Sequence, residues 1–85
     1  MKLTGNLDAA RVTQLWAERA DLFQQHEINV NEISKIDSAG IAFLVKWGQA
    51  CHARNECLIV QGVSSEFCQL IALYGVEPLF KLISK

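Results

Sequence analysis

Residues 36–40 read Ile-Asp-Ser-Ala-Gly and combine a carboxylate, a hydroxyl and a glycine where a strand is predicted to give way to a helix. Asp and Ser side chains accept hydrogen bonds from the free amides of a helix N-terminus, where the helix dipole also favours an anion. The chemistry expected of Ser38 is therefore capping, contact with a partner, or carriage of a phosphate. Asp37 is predicted to be a second cap, with no acid or base role.

An activated Ser38 nucleophile needs a base within hydrogen-bond reach, and neither histidine is placed to provide one. His26 begins a predicted strand, and His52 lies about three turns down the predicted helix. The adjacent Cys51 and His52 have no second ligand pair at the spacing of a zinc site. The sequence therefore predicts no catalytic residue, no metal and no cofactor. The three cysteines are interpreted as small buried side chains in a reducing compartment: Cys51, Cys57 and Cys68.

Length and charge restrict the class of protein further. Eighty-five residues suffice for one domain with one core, predicted over residues 1–85. The net charge of −1 argues against nucleic-acid binding, which favours a basic face. No run approaches the ~20 apolar residues of a membrane span, and no signal peptide is recognised. A membrane connection is therefore expected only through a partner protein.

The hydrophobic pattern predicts alternating strands and helices in the order β-α-β-α-β-α-β. Helices are predicted from a cap at Asp8 to about Gln25, over residues 41–54, and from a cap at Ser64 to Tyr74. Strands are predicted over residues 1–7, 27–31 and 57–61, with Ser34-Lys35 as an interruption and 79–83 as a strand or short helix. This order predicts an α/β fold with a mixed, mostly parallel sheet and crossover helices.

The helix predicted over residues 41–54 is apolar on two sides. On the side opposite the sheet, Phe43, Trp47, Ala50 and Arg54 group together at 100° per residue. A neighbouring helix of the same chain is one possible cover for these aromatics. A partner protein is the favoured cover, because Trp and Phe are common interface anchors. The stripe predicted to lie on the sheet contains Ile41, Leu44, Val45, Gly48 and His52.

Two runs resemble the STAS domain, which anti-sigma-factor antagonists share with the cytoplasmic tails of sulfate transporters. Residues 28–40 read Ile-Asn-Val-Asn-x-Ile-x-x-Ile-Asp-Ser-Ala-Gly and precede an apolar helix, and Leu3-Thr4-Gly5-Asn6-Leu7-Asp8 is similar to the family's Gly-x-Leu-Asp element. The topology is similar over all 85 residues. Within the family, Leu15-Trp16, Leu58-x-x-Gln61-Gly62-Val63 and residues 70–74 most resemble the small STAS subunit of the Mla phospholipid-transport ABC complex.

The sequence departs from the family pattern at three points. The usual first strand is missing, and the acid of the family's Asp-Leu-Ser is replaced by Asn29. Many Mla subunits carry Thr at the position of Ser38, whereas anti-sigma antagonists carry a phosphorylatable Ser. This third departure keeps a signalling role open as the alternative.

The resemblance implies a non-enzymatic subunit that binds the ATPase of a phospholipid ABC transporter. It would support the assembly and activity of that transporter, and so outer-membrane lipid asymmetry, from the cytoplasmic side of the inner membrane. The alternative is an anti-sigma-factor antagonist that is switched by phosphorylation of Ser38. Both roles use the same predicted partner-binding residues: Asp37, Ser38, Ala39, Gly40, Phe43, Trp47 and Arg54.

Overall fold

The apolar segments form strands and connecting helices in the order that the hydrophobic pattern predicts. The computed structural model describes residues 2–84. The strands in that range are β1 (Lys2–Leu7), β2 (Glu27–Ile36), β3 (Leu58–Val63) and β4 (Phe80–Ser84). The helices are α1 (Ala9–Trp16), α2 (Arg19–Leu22), α3 (Ser38–Ala53) and α4 (Ser65–Leu73), and a 3₁₀ turn, Glu77–Leu79, precedes β4. Met1, part of the first predicted strand, lies outside the described residues.

The four strands form one sheet in the order β1-β2-β3-β4, and each neighbouring pair is parallel. The predicted α/β class with crossover helices is confirmed, and the sheet of residues 2–84 is wholly parallel. Buried residues alternate with less buried ones in the first half of β2 and at the start of β3, so Ile28, Val30 and Leu58 lie on the face that carries the core. The other face presents polar residues such as Asn31 to solvent.

The core lies between this sheet and the helices. Leu44 and Ile41 of α3 and Phe67 and Ile71 of α4 are buried in it, as their helical spacing predicts. Gly48 allows α3 to approach the end of the chain closely, because a Cβ there would lie 3.0 Å from the Phe80 ring. His52, predicted to lie on the sheet, is exposed because it lies in the last turn of α3. Tyr74, which follows the last turn of α4, is exposed as well.

The second strand and the first helix differ most from their predicted bounds. β2 runs through Ser34-Lys35 to Ile36, because its second half pairs with β1 (Gly5 opposite Ile33) whatever the polarity of its side chains. The helix predicted from Asp8 to Gln25 divides into α1 and α2. At the break, the Glu18 amide bonds to the Leu15 carbonyl at 3.0 Å in a tighter turn.

The three cysteines are free thiols with different surroundings. Cys51 is buried as predicted, and burial raises the pKa of its thiol. Cys68 is half-buried. The prediction of a buried Cys57 is wrong, because this residue precedes β3 and remains outside the sheet.

Candidate functional site

The carboxyl end of β2 turns directly into α3 at Asp37. The backbone of Asp37 is extended, and its Oδ1 accepts a hydrogen bond from the Gly40 amide at 3.1 Å. Its own amide donates to the Leu7 carbonyl at 3.3 Å, which ties the corner to the end of β1. The predicted cap at Asp37 is confirmed, and α3 begins three residues before Ile41, the predicted start.

Ser38 is the first residue of α3 and is exposed. Its predicted role as a helix cap is wrong, because Asp37 is the last non-helical residue and its carboxylate takes the amide that a cap would satisfy. Within residues 2–84, the Ser38 hydroxyl has no hydrogen-bond partner. It is therefore free to meet solvent, a partner or a phosphate at the positive end of α3.

Gly40 is buried, and its lack of a side chain allows close packing at the corner. A Cβ there would clash with the Leu7 carbonyl oxygen and lie 2.9 Å from Ile36 Cγ1. The prediction that Gly40 contacts a partner is therefore corrected: the glycine lets α3 begin against the end of β1. Ala39 beside it is half-buried.

Phe43 and Trp47 do not form an open face. They are 2% and 0% exposed, so the prediction that a partner covers them is wrong. The cover comes from the chain's own first helical segment: Phe23 lies 5.6 Å from both rings by centroid, and Trp16 lies 6.4 Å from Phe43. The Trp47 indole N–H also donates to the Gln25 carbonyl at 2.9 Å. Both residues are core residues.

Arg54 was predicted to contact a partner protein, but its side chain forms hydrogen bonds with residues of its own chain. Its guanidinium donates to the carbonyls of Phe23 at 2.6 Å and Gln24 at 3.2 Å, which fixes the end of α2. Its Nε donates to the Glu56 carboxylate at 2.9 Å. This bond lowers the pKa of Glu56 and raises that of Arg54, so both groups stay charged.

One exposed surface of α3 continues from Ser38 along the helix, and sequence reasoning missed it. Lys46 is the only Lys, Arg, Asp or Glu in this helix of 16 residues, and the exposed side is otherwise small or uncharged. A low charge content is typical of protein interfaces at their centre. We call this surface the α3 face: Ser38, Ala42, Lys46, Gln49 and Ala53.

A groove of about 480 Å³ borders the α3 face, where α1 and α2 pack beside it. Trp16 is 39% exposed there, and the Arg19 guanidinium lies 4.6 Å from the centre of its ring. Ala17 and Ala20 line the groove with Lys46 of the α3 face. The sequence signal for this site was the large aromatic Trp16 directly after Leu15, a pair noted above only for its resemblance to the Mla subunit.

Catalytic groups do not converge on Ser38. His52 is at the other end of α3, about 21 Å away along the helix axis, and His26 precedes the opposite end of β2. Among residues 2–84, no group of three His, Cys, Asp or Glu side chains is placed to hold a metal ion. The geometry of the corner therefore favours binding at Ser38 over nucleophilic chemistry.

None of the helices within residues 2–84 combines the length and the apolar character needed to cross a bilayer.

Comparison with known proteins identifies a family from the sequence and a similar solved structure from the fold. The family model described as "Mlab, STAS domain" matches residues 1–83. A solved structure of the anti-sigma factor antagonist SpoIIAA in its unphosphorylated form has a TM-score of 0.73 and 20% sequence identity to this chain. The match covers 99% of this chain and 76% of that one, and at this identity it shows the fold alone. No curated protein sequence matches the chain.

Proposed function

The chain belongs to the STAS domain family, and we propose that it is a non-enzymatic subunit that binds the ATPase of a phospholipid ABC transporter. The observation that carries the proposal is the α3 face, an exposed helix surface with one charge that begins at the family's Asp-Ser-x-Gly corner. An exposed helix of a free monomer has no need of such a low charge content. The core of a protein interface, by contrast, is depleted in charged residues.

The groove beside the α3 face contributes an aromatic side chain and two positive charges to the proposed interface. Trp16 presents a large, partly exposed ring, and Trp is enriched among the residues that dominate binding energy. Arg19 and Lys46 are the charged groups that line the groove, and both are positive. The partner surface is therefore expected to carry acidic side chains opposite them.

The Mla assignment is supported by the Mlab description of the matching family model and by the resemblance of Leu15-Trp16 and of residues 58–63 to the Mla subunit. In this proposal the subunit lies in the cytoplasm, peripheral to the inner membrane, and its ATPase partner holds it there. Its binding stabilises the assembled transporter, which maintains the lipid asymmetry of the outer membrane. Nucleic acid and direct membrane insertion have no part in this role.

The α3 face is tested by steric blocking of its centre. Ala42→Arg places a long side chain on an exposed helix position that tolerates arginine, so the fold is retained. Ala72→Arg makes the same change on the exposed side of α4 and is the matched control. We expect the tagged chain and the Ala72→Arg variant to co-purify an ABC ATPase from the native cells, and Ala42→Arg to lose it.

Identification of the captured protein by mass spectrometry, with circular dichroism of each variant, completes the test. Equal recovery of the ATPase by folded Ala42→Arg and Ala72→Arg would contradict the α3 face. Recovery of no ABC ATPase by the unmodified chain would contradict the transporter role itself.

A phosphorylation switch is the second candidate, favoured by one observation: the Ser38 hydroxyl at the N-terminus of α3 is exposed and has no hydrogen bond to any of residues 2–84. A phosphate there adds about 1.5 to 2 negative charges at the N-terminal end of the α3 face. A switch predicts Ser38 phosphate that varies with growth conditions and an associated kinase. The transporter role predicts an unmodified Ser38 in the ATPase-bound protein, and intact-mass measurement of that protein decides between them.

A further inference from the structure

Asp37, which precedes Ser38 of the α3 face, also lines a second concave site. The carboxyl ends of β1 and β2 and the first turns of α4 enclose a cavity of about 500 Å³, which we call the rim cavity. In open parallel sheets, ligands are typically held at this end of the strands. The apolar part of its lining consists of Val30, Ile33, Ile36, Phe67 and Leu70.

The charged groups around the rim cavity are mostly acidic. Three carboxylates, of Asp8, Asp37 and Glu66, line it against one ammonium group, that of Lys35. Within residues 2–84, none of these four side chains takes part in an ion pair. The formal charge of the lining side chains is therefore −2.

Two of the carboxylates keep acceptor capacity. Asp8 accepts the Arg11 amide at 3.0 Å and Asp37 accepts the Gly40 amide at 3.1 Å, each through Oδ1. A carboxylate has two oxygens and about four lone-pair sites, and neither Oδ2 has a hydrogen-bond partner among the residues that the structure describes, so each can accept from an incoming donor. Glu66 lies in the first turn of α4, where the side chain is exposed.

We propose that the rim cavity receives a lysine or arginine side chain of the partner protein, with an apolar neighbour packed over Phe67 and Leu70. The positive charge of that side chain complements the acidic rim, and its alkyl stem fits the apolar lining. The volume lies within the ~300–1,000 Å³ of typical ligand pockets, which leaves room for a second side chain. That the partner is the transporter ATPase rests on the function proposed above, whereas the chemistry of the cavity does not.

A short peptide tests the chemistry without the partner. The probe is acetyl-Leu-Arg-Leu-amide, and its control replaces Arg by citrulline, which has the same shape without the charge. In NMR titrations of the ¹⁵N-labelled chain, we expect the Arg peptide to shift the amides of residues 34–37 and 64–67. The citrulline peptide should bind at least about tenfold more weakly, a difference of about 1.4 kcal/mol.

Variants then place the effect at the cavity. Glu66→Gln removes one rim charge, while Glu77→Gln removes an exposed charge from the 3₁₀ turn outside the cavity lining. We expect Glu66→Gln to weaken the Arg peptide several-fold and Glu77→Gln to leave it unchanged. Equal binding of both peptides, or equal effects of both variants, overturns the proposal. Tighter binding of free spermidine than of the peptide also overturns it, since the cavity is then a small-amine site.

In the assembled complex, the same comparison separates this inference from the proposed function. Glu66→Lys should reduce capture of the co-purified ATPase about tenfold or more relative to Glu77→Lys, because it places a like charge opposite the incoming cation. If the unmodified chain captures the ATPase but Glu66→Lys captures it equally well, the rim cavity is not a docking site and the transporter role stands. If Ala42→Arg loses the ATPase while Glu66→Lys retains it, the rim cavity is likewise not a docking site and the transporter role stands.

Discussion

Asp37 and Ser38 are neighbours with similar hydrogen-bonding chemistry and separate roles. The Asp37 carboxylate satisfies an amide of α3, and its own amide holds the corner to β1. This leaves Ser38 without a structural duty, on the surface and at the positive end of the helix. Because Ser38 does not cap α3, a partner can contact it or a kinase can modify it without loss of the helix.

This division predicts different costs for two similar substitutions. Asp37→Ala removes the cap and should lower the free energy of unfolding by about 1 kcal/mol, within the ~0.5–2 kcal/mol range of lost N-caps. Ser38→Ala removes an unbonded hydroxyl and should change the same quantity by less than about 0.5 kcal/mol. Urea unfolding followed by circular dichroism measures both. A cost for Ser38→Ala as large as that for Asp37→Ala would contradict the assignment of the cap.

At the scale of elements, α3 is enclosed on two sides by its own chain. The sheet covers one side, and the rings of Trp16 and Phe23 cover Phe43 and Trp47 on the other. Arg54 and the Trp47 indole complete the attachment through carbonyls at the end of α2. The first helical segment therefore depends on α3 for its position, and the groove between them forms only when both are docked.

The enclosure predicts that aromatic truncation in α3 acts on stability first. Phe43→Ala should lower the free energy of unfolding by about 3–5 kcal/mol, as expected for loss of a fully buried phenyl ring. Gln49→Ala, on the exposed side of the same helix, should change it by less than about 0.5 kcal/mol. Thermal melts of both variants check this, and a Phe43→Ala melt close to that of the unmodified chain would contradict the packing.

Periodicity predicted much of this arrangement and failed at two identifiable steps. The spacing of Phe43 and Trp47 placed them opposite the sheet, and their cover by α1 and α2 confirms that position. The identity of the cover depended on a hydrogen bond across 22 residues, from Trp47 to the Gln25 carbonyl, which no local pattern encodes. The start of α3 was misplaced because the apolar run begins at Ile41, while the helix begins at its cap, Asp37.

At the scale of the whole molecule, positive and negative side chains are separated between two concave surfaces. The groove beside the α3 face is lined by Arg19 and Lys46, and the rim cavity is lined mainly by carboxylates. A single net charge of −1 conceals this separation, which no composition count reveals. A partner that carries acidic groups for one surface and a basic group for the other can bind in one orientation only.

The order of the strands has a consequence for synthesis of the chain. Each strand pairs with the strand that follows it in sequence, so no pairing waits for a distant segment. As the chain leaves the ribosome, β2 can add to β1, then β3 to β2 and β4 to β3, and each addition extends an existing edge. The last addition brings Phe80 against Gly48 and closes the core over α3. The domain can therefore grow in the direction of translation, one strand at a time.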